Sequence, residues 1–234
     1  MVEERQTSAT ATTYTDLCTS TPAYTQQRQP PTFLTLPYEI RLQIYESLLL
    51  YPSSSSSSPS TSSPPPPTSL FSPRILLACR QTHAEARPVL YARNTFLAHA
   101  SLLTSFPSLT GAHRPLREPA VLPLIRRWRL RLRLDCDPPW TAAQLSAAFS
   151  GADLLVLEVW QAAFLAAGRG VLTLFEGVRG VRDPRVTGSL TGFEAYARWL
   201  EGVMRQGPGR DVGQFDESWE TSGLVPMHSG GLMA

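Results

Sequence analysis

Hydrophobic positions follow a helical period at both ends of the chain and a two-residue period between them. Near the start, Ile40, Ile44 and Leu48 recur every fourth position, and Tyr38, Leu42, Tyr45 and Leu49 widen the apolar arc to roughly 200°, broader than the stripe of a one-sided surface helix. Pro37 suits the first helical turn, where its missing N–H costs nothing, and Glu39 stands where the helix dipole favours an anion. Such width predicts a helix with two partners, or one sunk entirely in its own core. Ser72 and Pro73 then supply an N-cap and first-turn pair for a second helix, from Arg74 to about Ala86, with Ile75, Leu76, Cys79 and Ala86 on one side and Pro88 ending it. Asn94-Thr95-Phe96 marks the start of an extended segment.

In the middle, Trp128, Leu130, Leu132 and Leu134 alternate with Arg127, Arg129, Arg131 and Arg133, which predicts a half-buried strand. Thr141 and Gln144 form a capping box, with Trp140 stapled onto Leu145, for a helix closing at Gly151. Leu155, Leu157 and Val159 give a second strand, Gly170 to Glu176 a short helix, and Val181 to Thr187 a third strand. Aligning Phe149 with Phe175 also aligns Leu145 with Val171 and Leu155 with Val181. That offset of 26 residues falls in the range of leucine-rich-repeat-like strand and helix units. An ordinary small α/β sheet accounts for the same pattern, and either arrangement favours parallel pairing. The last helix carries Phe193, Tyr196, Ala197, Leu200, Val203 and Met204 on one face, with Thr191 and Glu194 as a capping box.

The segments between and beyond these elements differ in composition. Residues 1–32 are rich in Thr, Ser, Gln and Pro, and residues 207–234 in Gly; both read as disordered tails. Ser53 to Pro67 holds nine Ser and five Pro in fifteen positions, so residues 53–72 read as a low-complexity loop inserted in one domain of residues 33–206. All 21 basic side chains are arginine and none is lysine. Asn and Ile are scarce as well, which fits a GC-rich gene. A formal net charge of +2 removes any general electrostatic case for nucleic acid or anionic membrane.

Candidate chemistry is sparse. Cys18, Cys79 and Cys136 are odd in number and widely spaced, against a disulfide framework or zinc module and in favour of a reducing compartment, cytoplasmic or nuclear. No run of 18 apolar residues is present, and the N-terminus lacks the pattern of a secretory or transit signal. Gly188-Ser189-Leu190-Thr191-Gly192 places its serine second and so is not a nucleophile elbow. Gly168-Arg169-Gly170 lacks the final glycine of a dinucleotide loop, and a chain without lysine has neither a Walker lysine nor Schiff-base chemistry. His83, His99, His113 and His228 show no metal-ligand spacing. Asp135 and Asp137 read as a strand end, not paired acids. No catalytic, cofactor or metal site is expected. Arg126, Arg127, Arg129, Arg131 and Arg133 form the one local charge concentration, able to track a phosphate backbone. A solvated or edge-protecting face is the preferred account of them, since Trp128 points to the other side and leaves no stacking platform.

Taken together, the first two helices carry a compound motif: L-P-x-E-I-R-x-x-I-Y at Leu36 to Tyr45, C-R-Q at Cys79 to Gln81, Glu85, and L-Y-x-x-N-T-F at Leu90 to Phe96. It resembles a large family of filamentous-fungal F-box-like proteins of unknown function, over Phe33 to Phe96. The resemblance implies F-box-like helices over that block and matches the rest only in general layout; with the leucine-rich-repeat-like strand and helix region and the C-terminal amphipathic helix read from the pattern above, an α+β or α/β chain without enzymatic activity is expected. It further implies a substrate adaptor: Leu36, Pro37, Ile40 and Ile44 would face a Skp-type subunit of a cullin-RING ubiquitin ligase, and the later α/β part would hold a protein target. Two alternatives stand beside this one, a self-contained scaffold whose first helix is all core, and nucleic-acid binding through the Arg126 to Arg133 strand.

Overall fold

A computed structural model describes residues 32–51, 71–109, 113–162, 168–210 and 212–216. The expected tails and loop therefore lie largely outside the described residues. Contacts divide the chain into two units, Met1–Pro37 and Tyr38–Ala234. In the first, Phe33–Thr35 forms a single 3-10 turn, held by the Thr35 N–H and hydroxyl, both donating to the Thr32 carbonyl at 3.0 and 2.7 Å.

The second unit is a mixed α/β fold. Helices α1 (Tyr38–Leu49) and α2 (Arg80–Arg93) pack together and precede β1 (Thr95–His99) and β2 (Leu103–Ser108). Then follow β3 (Arg127–Arg133), α3 (Ala142–Phe149), β4 (Leu154–Trp160), α4 (Gly170–Thr173), β5 (Asp183–Gly188) and α5 (Glu194–Arg205). Among the described residues five strands lie in the order β2-β1-β3-β4-β5, with β2 antiparallel to β1 and the other four parallel. The alternation of strands and helices is thus matched by parallel pairing of neighbours. The register sets Trp128 beside Leu155 and Pro184, steps of 27 and 29 residues. Leu155 and Val181, equivalent in the 26-residue alignment, are not register partners: Val181 lies in the connection before β5, and its N–H donates to the Met204 carbonyl at the end of α5.

One face of the sheet contributes Phe96, Trp128, Leu130, Leu132, Leu155 and Leu157 to a core that also takes residues from α3, α4 and α5. Trp128 meets Phe149 of α3 edge to face, and Trp140 meets Phe175 likewise. The Thr141 and Gln144 capping box is complete, with the side chain of each accepting the other's backbone N–H. On α5 all six expected positions are buried, but helix and cap differ from expectation at the start. The helix begins at Glu194, so Thr191 lies too far upstream to cap it, and the Glu194 carboxylate instead accepts the Gly192 N–H at 3.2 Å.

α2 departs further. Pro73–Leu77 is a 3-10 turn, and Cys79, extended at φ −162° and ψ 171°, separates it from the helix proper. The Cys79 sulfur caps α2 by accepting the Thr82 N–H at 3.4 Å. Pro88 does not end the helix, which continues to Arg93 because Ala86, Val89 and Leu90 are buried on its inner face. Two residues assigned by composition to a loop and a tail join the fold: Phe71 meets Tyr51 and His113 edge to face, and Phe215 packs on Tyr196 and Trp199.

β5 is an edge strand. Asp183 donates its N–H inward to the Asp153 carbonyl just before β4, and Ser189 to the Val159 carbonyl of β4, so by alternation positions 184, 186 and 188 face outward. Pro184 has no N–H, and that of Val186 is taken by the Glu201 carboxylate of α5 at 2.7 Å.

Candidate functional site

The buried stripe of α1 is Arg41, Tyr45 and Leu49, not the Ile40, Ile44 and Leu48 row. An arginine at a core position needs a partner, since an isolated charge out of water is costly. That partner is Glu85 of α2: Arg41 donates through Nε and Nη2 to the two carboxylate oxygens at 2.9 and 2.7 Å. The Tyr45 hydroxyl donates to the same carboxylate at 2.8 Å and Gln81 Nε2 at 3.0 Å. Chiefly the Arg41 hydrogen bonds, then those of Gln81 and Tyr45, hold the Glu85 carboxyl down to about 2. Arg41 is 8% exposed. One turn from the other end, Asn94 donates to the Leu49 and Leu90 carbonyls at 2.8 and 2.9 Å and accepts the Tyr51 N–H at 2.7 Å. Four polar residues of the compound motif, Arg41, Tyr45, Gln81 and Glu85, are thus joined at one carboxylate, and a fifth, Asn94, ties backbone groups of α1, α2 and the residue after α1. Sequence reasoning missed this network; its signal was a charged residue in phase with Tyr45 and Leu49.

Turning that stripe inward turns the neighbouring row outward. Ile40 is 42% exposed and Tyr38 47%, while Ile44 and Leu48 are half-buried. None of the three row positions is buried, so the expectation of a helix wholly in its own core does not describe α1. In the other unit, Leu36 is half-buried and Pro37 exposed.

The sheet face opposite the core carries the arginines. Arg127, Arg129, Arg131 and Arg133 belong to β3, whereas Arg126 precedes it and offers its carbonyl to the Asp153 and Leu154 N–H groups. In register beside them stand Leu154, Val156, Glu158 and Trp160 of β4, and Asp183, Arg185 and Thr187 of β5. Arg131 pairs with Glu158 at 3.1 Å, Arg133 with Asp135 at 2.8 Å and Arg185 with Asp183 at 2.7 Å. An aromatic does stand on this face, contrary to the reading from β3 alone: Trp160 comes from the next strand and lies under the Arg133 guanidinium, 5.3 Å from the ring centroid.

The remaining candidates have local structural partners. His83 Nδ1 lies 3.1 Å from the Leu76 carbonyl, His99 Nδ1 accepts the Ser101 and Leu102 N–H groups, and His113 contacts two aromatic rings; His228 lies outside the described residues. Among the described residues, no group of three or more His, Cys, Asp or Glu is placed to hold a metal ion, and no helix is long and apolar enough to cross a membrane. Comparison of the chain with protein-family models, curated proteins and solved structures gave no match.

Proposed function

We propose that the chain is a non-enzymatic interaction module acting as a substrate adaptor: the outward row of α1 docks on a Skp-type subunit of a cullin-RING ubiquitin ligase, and the sheet with its helices holds a protein target. The observation that carries this reading is the orientation of α1. Its polar anchor, Arg41 and Tyr45 on Glu85, faces inward, and Ile40, Ile44 and Leu48 remain available to a partner. In this reading α1 and α2 are F-box-like, and β3 through β5 with α3 and α4 are loose copies of a leucine-rich-repeat-like unit. Leu36 and Pro37 enter only through the resemblance.

The test is capture of the full chain by a purified Skp-type adaptor. Wild type should be retained, Ile40→Asp should lose binding by at least about tenfold, the effect of roughly 1.4 kcal/mol, and its melting temperature should stay near wild type because the site is exposed. Pro37→Ala, measured alongside, reports on the upstream residues separately. Absence of capture by wild type, or equal capture of Ile40→Asp, would leave the second reading, a self-contained scaffold. That reading is favoured by one observation: Arg41, Tyr45, Gln81, Glu85 and Asn94 are all engaged within the chain.

A further inference from the structure

Among the described residues, the core with α3, α4 and α5 lies on one face of the five-stranded sheet and the β3 arginines stand on the other. From this arginine side of β3 we infer that the face is a docking surface for an acidic polypeptide segment lying extended along the strand. The inference is independent of what binds α1.

Three features converge on it. First, the arginines at positions 127, 129, 131 and 133 repeat every second residue, a pitch of about 6.6 Å. An extended segment with carboxylates at alternate residues has the same pitch and adds the negative charge that the row of arginines lacks. Second, the arginines are not fully satisfied by the chain itself. Five arginines, with Arg185 included, face three carboxylates, Asp135, Glu158 and Asp183. The Nε atoms of Arg127 and Arg129 are enclosed and have no hydrogen-bond partner among the described residues. Third, the surface is not purely ionic. Trp160 is 46% exposed, and with Arg131, Glu158, Val159 and Gly188 it lines a depression of about 330 Å³, room for an apolar side chain between the acidic ones.

The same features favour a polypeptide over a nucleic acid. A phosphate backbone carries a charge at every repeat and would confront Glu158 and Asp183 as well as the arginines. A single aromatic ring is also a poor platform for successive bases. A peptide can set carboxylates on arginines and apolar groups on Trp160 and Val156.

The probe is a fluorescently labelled peptide alternating glutamate and leucine, titrated into the full chain at low salt. Saturable binding is expected, weakened by at least about tenfold in Arg131→Gln/Arg133→Gln and also weakened in Trp160→Ala, and falling as salt rises. The two arginine side chains are 62% and 43% exposed, so the double variant should keep the wild-type circular dichroism spectrum; should it not, Arg131→Gln alone is read in the same assay. The inference is overturned by absence of saturable binding, by unchanged affinity in the folded variants, or by equal affinity for the same peptide with lysine in place of glutamate. Tighter binding of a single-stranded oligothymidylate would overturn it too, assigning the face to nucleic acid.

Discussion

Glu85 gathers donors from Arg41, Tyr45 and Gln81, residues that stand 44, 40 and 4 positions away in the chain. The consequence is a carboxyl that stays ionised in acid. Its folded-state pKa lies near 2 against an ordinary 4.5, so the pair stabilises the fold fully above about pH 4.5 and loses that contribution as pH falls toward 2. Melting temperatures measured from neutral pH down to about pH 2 should therefore fall more steeply for wild type than for Glu85→Gln, which starts lower at neutral pH and is flatter through the acid range. Parallel curves would show that Glu85 does not carry the dependence. The neighbouring Cys79 thiol is also pulled below its usual value, mainly by the hydrogen bond with the Thr82 hydroxyl and then by the Thr82 N–H. Here the residue is one whose structural use, capping α2, was hidden in the sequence by its position among apolar neighbours.

Among the elements, those with a complete local pattern were legible. α5 shows five inward positions in phase with Phe193 just before it, β3 alternates without a break, and the Thr141 box carries both of its polar halves within four residues. The elements that were misread depend on distant partners. Ser72 and Pro73 open a 3-10 turn as readily as an α-helix, and nothing local distinguishes the two until Cys79 caps α2 on Thr82. The inward face of α1 is decided by Glu85, and β2 shows little alternation, with Phe106 exposed, Pro107 buried and Ser108 buried beside it. The junction of α1, α2 and β1 is held by Asn94, the one asparagine in the chain. Asn94→Ala removes its hydrogen bonds to three backbone groups, two of them donated by its amide, at a cost of about 1–3 kcal/mol. Urea denaturation should show that loss without a change of slope, and a variant as stable as wild type would mean water replaces the side chain without penalty.

At the scale of the whole Tyr38–Ala234 unit, stability rests on the single-faced sheet core. Phe149 is fully buried and sits against Trp128. Phe149→Ala should cost about 3–5 kcal/mol by denaturant titration, whereas a cost under about 1 kcal/mol would indicate that α3 collapses into the space. Parallel pairing of β3, β4 and β5 was legible because strands alternating with helices leave few alternatives, whereas the arginine face was only half legible: the arginines were visible along one strand, but Trp160 joins them only through the register of the next. The outer side of β5 bears on how far this sheet extends. An uncovered strand edge is a template on which another chain can align and polymerise. With no N–H at Pro184 and that of Val186 already held by Glu201, two of the three outward rungs are closed to an incoming strand. A further strand and helix unit could be appended there only if α5 first let go. At its β5 side the sheet is therefore short of donors for a further strand, and copies of the protein crowded together find no ready growing end there.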